Sequence, residues 1–282
     1  MSPAASGSPS HHADVVAGRR SLPHTRRPGA GALQIIGHRG HMRAPGVTEN
    51  SAAAVAAGLA AGAGAVEVDV RLTADGVPVC VHDSDLRRLA GMPVEVAGVT
   101  HRELDDLLLS ACGARVDPLV DVANAVRGRG GLIVEIKHEG TGRPAHLVST
   151  VVTTLAAAHP GDDLVISSFS GAVLSEVRRQ FPGTRRALVT PPGGTALAGL
   201  NEVLAWGHHE LHAHARSVLV QPRVVDLASS NERVLRCWDV QRLVDVRLLD
   251  AAGVSGVIVD DPGAMSRGLA GVRAPVVTGS AR

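Results

Sequence analysis

Short apolar runs bounded by turn residues alternate along this chain with longer stretches of helical periodicity. Nine runs stand out, at residues 33–37, 65–71, 77–81, 132–136, 164–167, 185–189, 217–220, 234–238 and 256–259. Apolar runs of this length read as strands buried on both faces. Between them lie helical patterns at 51–62, 100–109, 119–127, 145–158, 171–180 and 241–252. Two carry start signals: Ser51 and its neighbours cap the alanine-rich first helix, and Thr100 with Glu103 makes a capping box. Regular alternation of strand and helix predicts parallel βα units in an α/β fold, a closed (β/α)8 or TIM barrel. Nine runs exceed eight places, so one run between 185 and 220 is expected to be peripheral or misread.

Composition narrows this picture. With 282 residues and 45% apolar side chains the chain can bury one large core. Two Trp, two Phe and no Tyr mean that the core is aliphatic. A formal net charge of +1 favours neither nucleic acid nor an anionic membrane, although a local positive site can still hold a phosphate. The cysteines Cys80, Cys112 and Cys237 are too sparse for a disulfide framework or a structural zinc site. Residues 1–31 lack apolar periodicity and are expected to be a disordered leader, with His11 and His12 solvated, ahead of a barrel domain at 32–282. Arg19-Arg20 is not followed by an apolar stretch of signal-peptide length, and no run approaches a membrane span. A soluble cytoplasmic protein without stable membrane insertion is expected.

The charged residues are placed unusually. His38, Asp69, His82, Lys137, Ser168, Trp238 and Asp260 all end predicted strands, the catalytic face of such barrels. Glu67 and Asp69 are two apart and point the same way, as do Glu135 and Lys137. Three converging carboxylates repel one another unless a cation neutralises them or their pKa values rise. A hard divalent ion with oxygen ligands, Mg²⁺ or Ca²⁺ rather than zinc, answers this. The competing explanation, buried salt bridges to Arg39, Arg71 and Lys137, uses a poor stabilising device. His208, His209, His212 and His214 lack metalloprotease spacing and are expected to form a solvated surface cluster. Pro191 to Gly194 reads as a plain turn, and Trp206 as structural.

Taken in order, His38-Arg39-Gly40, Glu49-Asn50, Glu67-x-Asp69, His82-Asp83, Glu135-Ile136-Lys137, Ser167-Ser168-Phe169, Trp238 and Asp260-Asp261-Pro262 resemble the glycerophosphodiester phosphodiesterase family, across roughly residues 33–270. Two features depart from it: a longer segment between Gly40 and Glu49, and Asp239 and Gln241 where the family more often has Thr and Asn. The resemblance implies metal ligation by Glu67, Asp69 and Glu135, with Glu49 at the metal or the substrate glycerol. It also implies acid and base roles for His38 and His82, and phosphate binding by Arg39 and Lys137. Trp238, with an apolar face and a polar tip, could cover the glycerol. The implied reaction is hydrolysis of a glycerophosphodiester to glycerol 3-phosphate and an alcohol, with His82 as acid and His38 as base. A lysophospholipase D-like enzyme and a catalytically silent barrel that binds a phosphate ligand are the alternatives.

Overall fold

In chain order the strands are β1 (Gln34–Gly37), β2 (Ala65–Leu72), β3 (Pro78–Cys80), β4 (Gly131–Ile136), β5 (Leu164–Ser168), β6 (Arg185–Val189), β7 (Glu210–His214), β8 (Val234–Trp238) and β9 (Gly256–Val259). This computed structural model describes residues 32–273 apart from 110–112, 139, 141–143, 159 and 162. The expected leader and Cys112 therefore lie outside the described residues, while Cys80 and Cys237 are buried free thiols. Eight strands run parallel in the order β1-β9-β8-β7-β6-β5-β4-β2, and pairing of β1 with β2 closes the barrel. The (β/α)8 expectation holds. No helix among the described residues is long and apolar enough to cross a membrane.

The strand outside the barrel is β3, and the misread run between 185 and 220 is 217–220, which is helical. β2 continues past its pairing with β4, turns at Thr73–Val77 around Gly76 (φ 79°), and comes back antiparallel as β3. Val81 N then donates to Asp69 O at 3.0 Å, so His82 reaches the acidic strand from a hairpin rather than from the end of a barrel strand. The excursion that follows is anchored by its own apolar cluster, including Val79, Val81, Leu86, Val96 and Leu104. The Thr100–Glu103 capping box forms, although its helix is the short His101–Asp105.

Residues 217–220, expected as a strand, belong to the helix Ala215–Val220, and the strand before it is β7. The histidines thought to be a solvated surface are in fact inside the fold: His208 and His212 are 1% exposed. The pattern Glu210-Leu211-His212-Ala213-His214 has the strand period of two with its polarity inverted. Leu211 and Ala213 pack outward against helices, and the charged and ring side chains point into the barrel.

The same alternation holds on the other side. Val66, Val68 and Val70 of β2 pack outward with Leu132, Val134 and Ile136 of β4, leaving Glu67, Asp69 and Glu135 inside. An apolar waist of Ile36, Ala65, Ile133, Val165, Ala187 and Ile258 crosses the barrel below them.

Beneath the waist, fully buried Glu210 is gripped by Arg185, by Arg236 Nη1 at 3.2 Å and by His212 Nε2 at 3.1 Å, and Arg185 also reaches Asp163 at 2.7 Å. Burial alone would raise the Glu210 pKa, but Arg236, the His212 hydrogen bond and Arg185 bring it down to about 2. Glu210→Gln leaves two buried guanidinium groups short of their counter-charge and is expected to cost about 3–5 kcal/mol of unfolding free energy at neutral pH in urea titrations. A depressed native pKa means that this contribution is full above the unfolded value of about 4.3 and is lost as pH falls toward 2. The variant's acid limb should be correspondingly shallower; equal stability of the two proteins across this range would show that the cluster is energetically idle.

Candidate active site

The site begins with a turn that only glycines permit. A Cβ on Gly37 would sit 2.0 Å from Gly40 O, and one on Gly58 would sit 2.8 Å from the same atom. The first helix, Ala52–Ala60, thus lies hard against the end of β1. Gly40 (φ 85°) and Arg39 (φ 47°) are both left-handed, a costly conformation for arginine. The reversal is fixed by His38 N to Val259 O (2.9 Å), Gly40 N to Glu67 O (3.1 Å) and Asn50 N to Arg39 O (3.0 Å). Its effect is to direct His38 and Arg39 over the carboxylates of β2.

Glu67, Asp69 and Glu135 are buried and offer one oxygen each within 4.8 Å of one another. At that separation two unit charges repel by about 3–4 kcal/mol even at an effective dielectric constant near 20. Part of the repulsion is offset by cations. Lys137 Nζ lies 2.8 Å from Asp69 Oδ1 and 2.5 Å from Glu135 Oε1, and Arg39 Nε lies 3.2 Å from Asp69 Oδ2. Asn50, itself buried, clamps Asp69 by donating Nδ2 to Oδ2 (3.0 Å) while accepting Asp69 N at Oδ1 (2.9 Å). The balance is uneven. Asp69 is held well below its ordinary pKa by Lys137 and Arg39 against its burial, whereas burial and Asp69 push Glu67 up to about 7 and Glu135 up to about 8. Glu67 Oε1 is buried without a hydrogen-bond partner, while Glu135 Oε1 is held by Lys137. An unsatisfied hard oxygen among three converging carboxylates suits a divalent ion, so the residues fit one. Glu49 lies outside this trio; its carboxylate is taken by Arg39 Nη1 at 2.7 Å and by Arg88 at 2.7 and 2.9 Å.

Each histidine is oriented by a carboxylate at Nδ1: His38 by Asp260 at 2.8 Å, His82 by Asp83 at 2.8 Å. Nε2 is then the nitrogen turned to other chemistry. Burial works to lower the His38 pKa, but the Asp260 bond and the Glu67 field raise it above its ordinary value. His82 is lowered, by burial and by Lys137, despite Asp69. Arg71, one of the cations considered for ion pairing with the acids, instead donates Nε to His82 O at 3.0 Å.

Beside the acids, Arg71, His82, Glu135, Lys137, Ser168 and Phe169 help line a cavity of about 180 Å³. Lys137 Nζ stands 5.7 Å from the centre of the Phe169 ring. Trp238 meets Phe169 and His214 edge-on at 5.6 and 5.3 Å, and its Nε1 donates to Thr190 O at 3.0 Å. Ser168, by contrast, is structural: Oγ donates to Ile136 O and accepts from Ser170 N. The two departures from the family pattern meet here, since Arg43 of the longer segment donates to Gln241 Oε1 at 3.3 Å. Trp206 is exposed on the outside of the barrel, and Gly194 N closes on Pro191 O as a plain turn.

Sequence pattern marks Asn50 as a helix-capping side chain and gives no role in the site to Asp83, Arg88 or Asp260. Asp83 and Asp260 were visible as part of His-Asp and strand-end motifs. Arg88, within an excursion of no clear periodicity, gave no signal.

Residues 38–264 match the model of the glycerophosphoryl diester phosphodiesterase family. A glycerophosphodiester phosphodiesterase of Caldanaerobacter subterraneus subsp. tengcongensis is 27% identical over 235 residues, covering 81% of this chain and 94% of that protein. Among solved structures, a protein from Silicibacter pomeroyi superposes with a TM-score of 0.76 at 26% identity, over 87% of this chain and 96% of its own. An Oleispira antarctica phosphodiesterase, solved with its product sn-glycerol-3-phosphate, shares the fold with a TM-score of 0.75 at 21% identity, over 85% and 97%.

The glycine turn yields a direct test. A Cβ at Gly40 would lie 2.4 Å from Ala54 C, whereas one at Gly46, also left-handed at φ 71°, meets nothing within 4 Å. Gly46→Ala should lose only the left-handed penalty of about 1–2 kcal/mol. Gly40→Ala should lose about 1–3 kcal/mol more, as an overpacked site, and most of its activity, because Arg39 and His38 move. Matching melting temperatures for the two variants would argue against the turn as the organiser of the site.

Proposed function

The chain belongs to the glycerophosphoryl diester phosphodiesterase family, a family of phosphoric diester hydrolases, and we propose that it hydrolyses glycerophosphodiesters to glycerol 3-phosphate and an alcohol with a divalent metal and two histidines. One observation carries this reading, the charge balance at the mouth of the barrel. Ionised, as ligation of a cation requires, the three carboxylates outnumber the cations Arg39 and Lys137 by one negative charge. A divalent ion reverses it to one positive, which the single negative charge of a phosphodiester neutralises. The product bound by the Oleispira antarctica protein has the chemistry expected of this reaction.

In this reading Glu67, Asp69 and Glu135 hold Mg²⁺ or Ca²⁺, which when bound polarises the phosphoryl oxygen and acidifies the attacking oxygen. Arg39 and Lys137 hold the phosphate oxygens, the arginine as a planar fork and the lysine as a point charge. Glu49 keeps Arg39 in place. Trp238, with its N–H committed to Thr190 O, presents its apolar face to the glycerol carbons. His38 Nε2 takes a proton from the attacking oxygen, either water or the 2-hydroxyl of the substrate, and His82 Nε2 gives one to the leaving alkoxide. The metal-free pKa order, His38 raised and His82 lowered, runs against these roles. An ion among the carboxylates removes the Glu67 and Asp69 fields that raise His38, which suits a base, but also the Asp69 field that raises His82; a phosphate beside Lys137 offsets the positive field on His82.

The roles separate by leaving group. A leaving alkoxide needs an acid, and a nitrophenolate does not. His82→Ala should lose on the order of 10²–10⁴ in kcat on a diester such as glycerophosphoethanolamine and far less on a glycerol nitrophenyl phosphate. His38→Ala should damage both equally. The mirror-image result would exchange the roles; full activity in both variants would sink two-histidine catalysis, and failure to find glycerol 3-phosphate among the products would sink the substrate class.

A further inference from the structure

Arg88 makes three charge-assisted contacts with two carboxylates from separate parts of the chain. Nε lies 2.6 Å from Asp83 Oδ2, Nη1 lies 2.9 Å from Glu49 Oε2, and Nη2 lies 2.7 Å from Glu49 Oε1. The other Asp83 oxygen holds His82 Nδ1, and Glu49 Oε1 also accepts Arg39 Nη1. An unbroken path therefore runs from His82 through Asp83, Arg88 and Glu49 to Arg39, whose Nε reaches Asp69. We propose that Arg88 is a positioning residue: its guanidinium joins the carboxylate that orients His82 to the carboxylate that holds Arg39, and so fixes the proton-transfer group relative to the phosphate-binding group. The proposal rests on the reading of His82 as a proton-transfer group.

Geometry sets Arg88 apart from the arginine beside it. Arg87, 69% exposed at its side chain, reaches only Asp85 among the described residues, at 3.6 Å. Arg88 comes from a four-residue helix, Arg87–Ala90, outside the barrel wall, ended by Gly91 in the left-handed conformation. Fully buried Leu86 pins that helix from within, and the bond from Leu86 N to Val94 O pins its backbone. A planar fork on a pinned short helix can span two carboxylates; a lysine in its place offers one point charge and cannot bridge both. The side chain is 46% exposed, so water screens its pairs and their contribution to folding is small. What the arrangement secures is the angle of the His82 ring, to which proton transfer is sensitive.

The test is a double-mutant cycle in kcat on glycerophosphoethanolamine with the metal-loaded full chain: wild type, Arg88→Ala, His82→Ala and the pair. Arg88→Ala should lower kcat on the order of 10–100-fold, the range for groups that orient a histidine through a carboxylate. In the His82→Ala background the same change should cost less than about threefold, because the ring it orients is gone and Arg39 keeps its contacts with Glu49 and Asp69. Arg88→Lys should resemble Arg88→Ala, and Arg87→Ala should resemble wild type. Should Arg88→Ala fold poorly, Asp83→Asn takes its place in the cycle with the same expectation. Equal fold-losses in both backgrounds, or wild-type kcat in Arg88→Ala, would overturn the proposal. The two readings fail separately: an equal loss on natural and nitrophenyl esters in His82→Ala removes its acid role but leaves the non-additivity intact, whereas additive losses remove the positioning role alone.

Discussion

Mutual repulsion of Glu67, Asp69 and Glu135 is the constraint around which the upper half of this barrel is built. Their closest oxygens share a space 4.8 Å across, and a buried carboxylate is disfavoured even when alone. Their surroundings answer that cost. Lys137 sits between Asp69 and Glu135, Arg39 in its left-handed turn reaches Asp69 with its side chain and Glu67 with its backbone N–H, and Asn50 grips both the backbone and the side chain of Asp69. The compensation is incomplete by design of the charge count, and the remainder is a place for a cation. Buried unpaired charge of this kind serves stability poorly and serves a reaction of an anionic substrate well.

The interior of the barrel is polar at both ends. Above the waist of Ile36, Ala65, Ile133, Val165, Ala187 and Ile258 lies the carboxylate cluster; below it lies Glu210 with its arginines and His212. The lower cluster has its charges matched and its acid fully ionised, with Glu210 at about 2, while the upper one leaves Glu67 and Glu135 near 7 and 8. Similar residue types inside one barrel thus serve two ends: satisfied, they hold strands together; left short of positive charge, they could hold an ion.

Much of this was legible in the chain, because strands buried on both faces announce themselves and charges at their ends need a reason. The shared facing of Glu67 and Asp69 follows from spacing, the reading of both with Glu135 as ligands from the family resemblance, and the barrel from alternation. Failures came where a period was read with the wrong polarity or where distant segments meet. Glu210 to His214 alternates as a strand should, but with its polar side inward, and so looked like a surface histidine cluster. β3 had the composition of a barrel strand, and only pairing shows it to be a returning hairpin. Asp260 on His38 and Arg88 on Glu49 link residues that no local pattern connects.

The central claim is that the three carboxylates are a cation site, and direct binding tests it. Chelated protein titrated calorimetrically with Mg²⁺ and with Ca²⁺ should take up one ion per chain. Glu135→Gln, which mimics the protonated acid that burial already favours, should bind much more weakly while melting at the same temperature in chelator. Binding of neither ion at millimolar concentration, or undiminished binding by Glu135→Gln, would contradict the account.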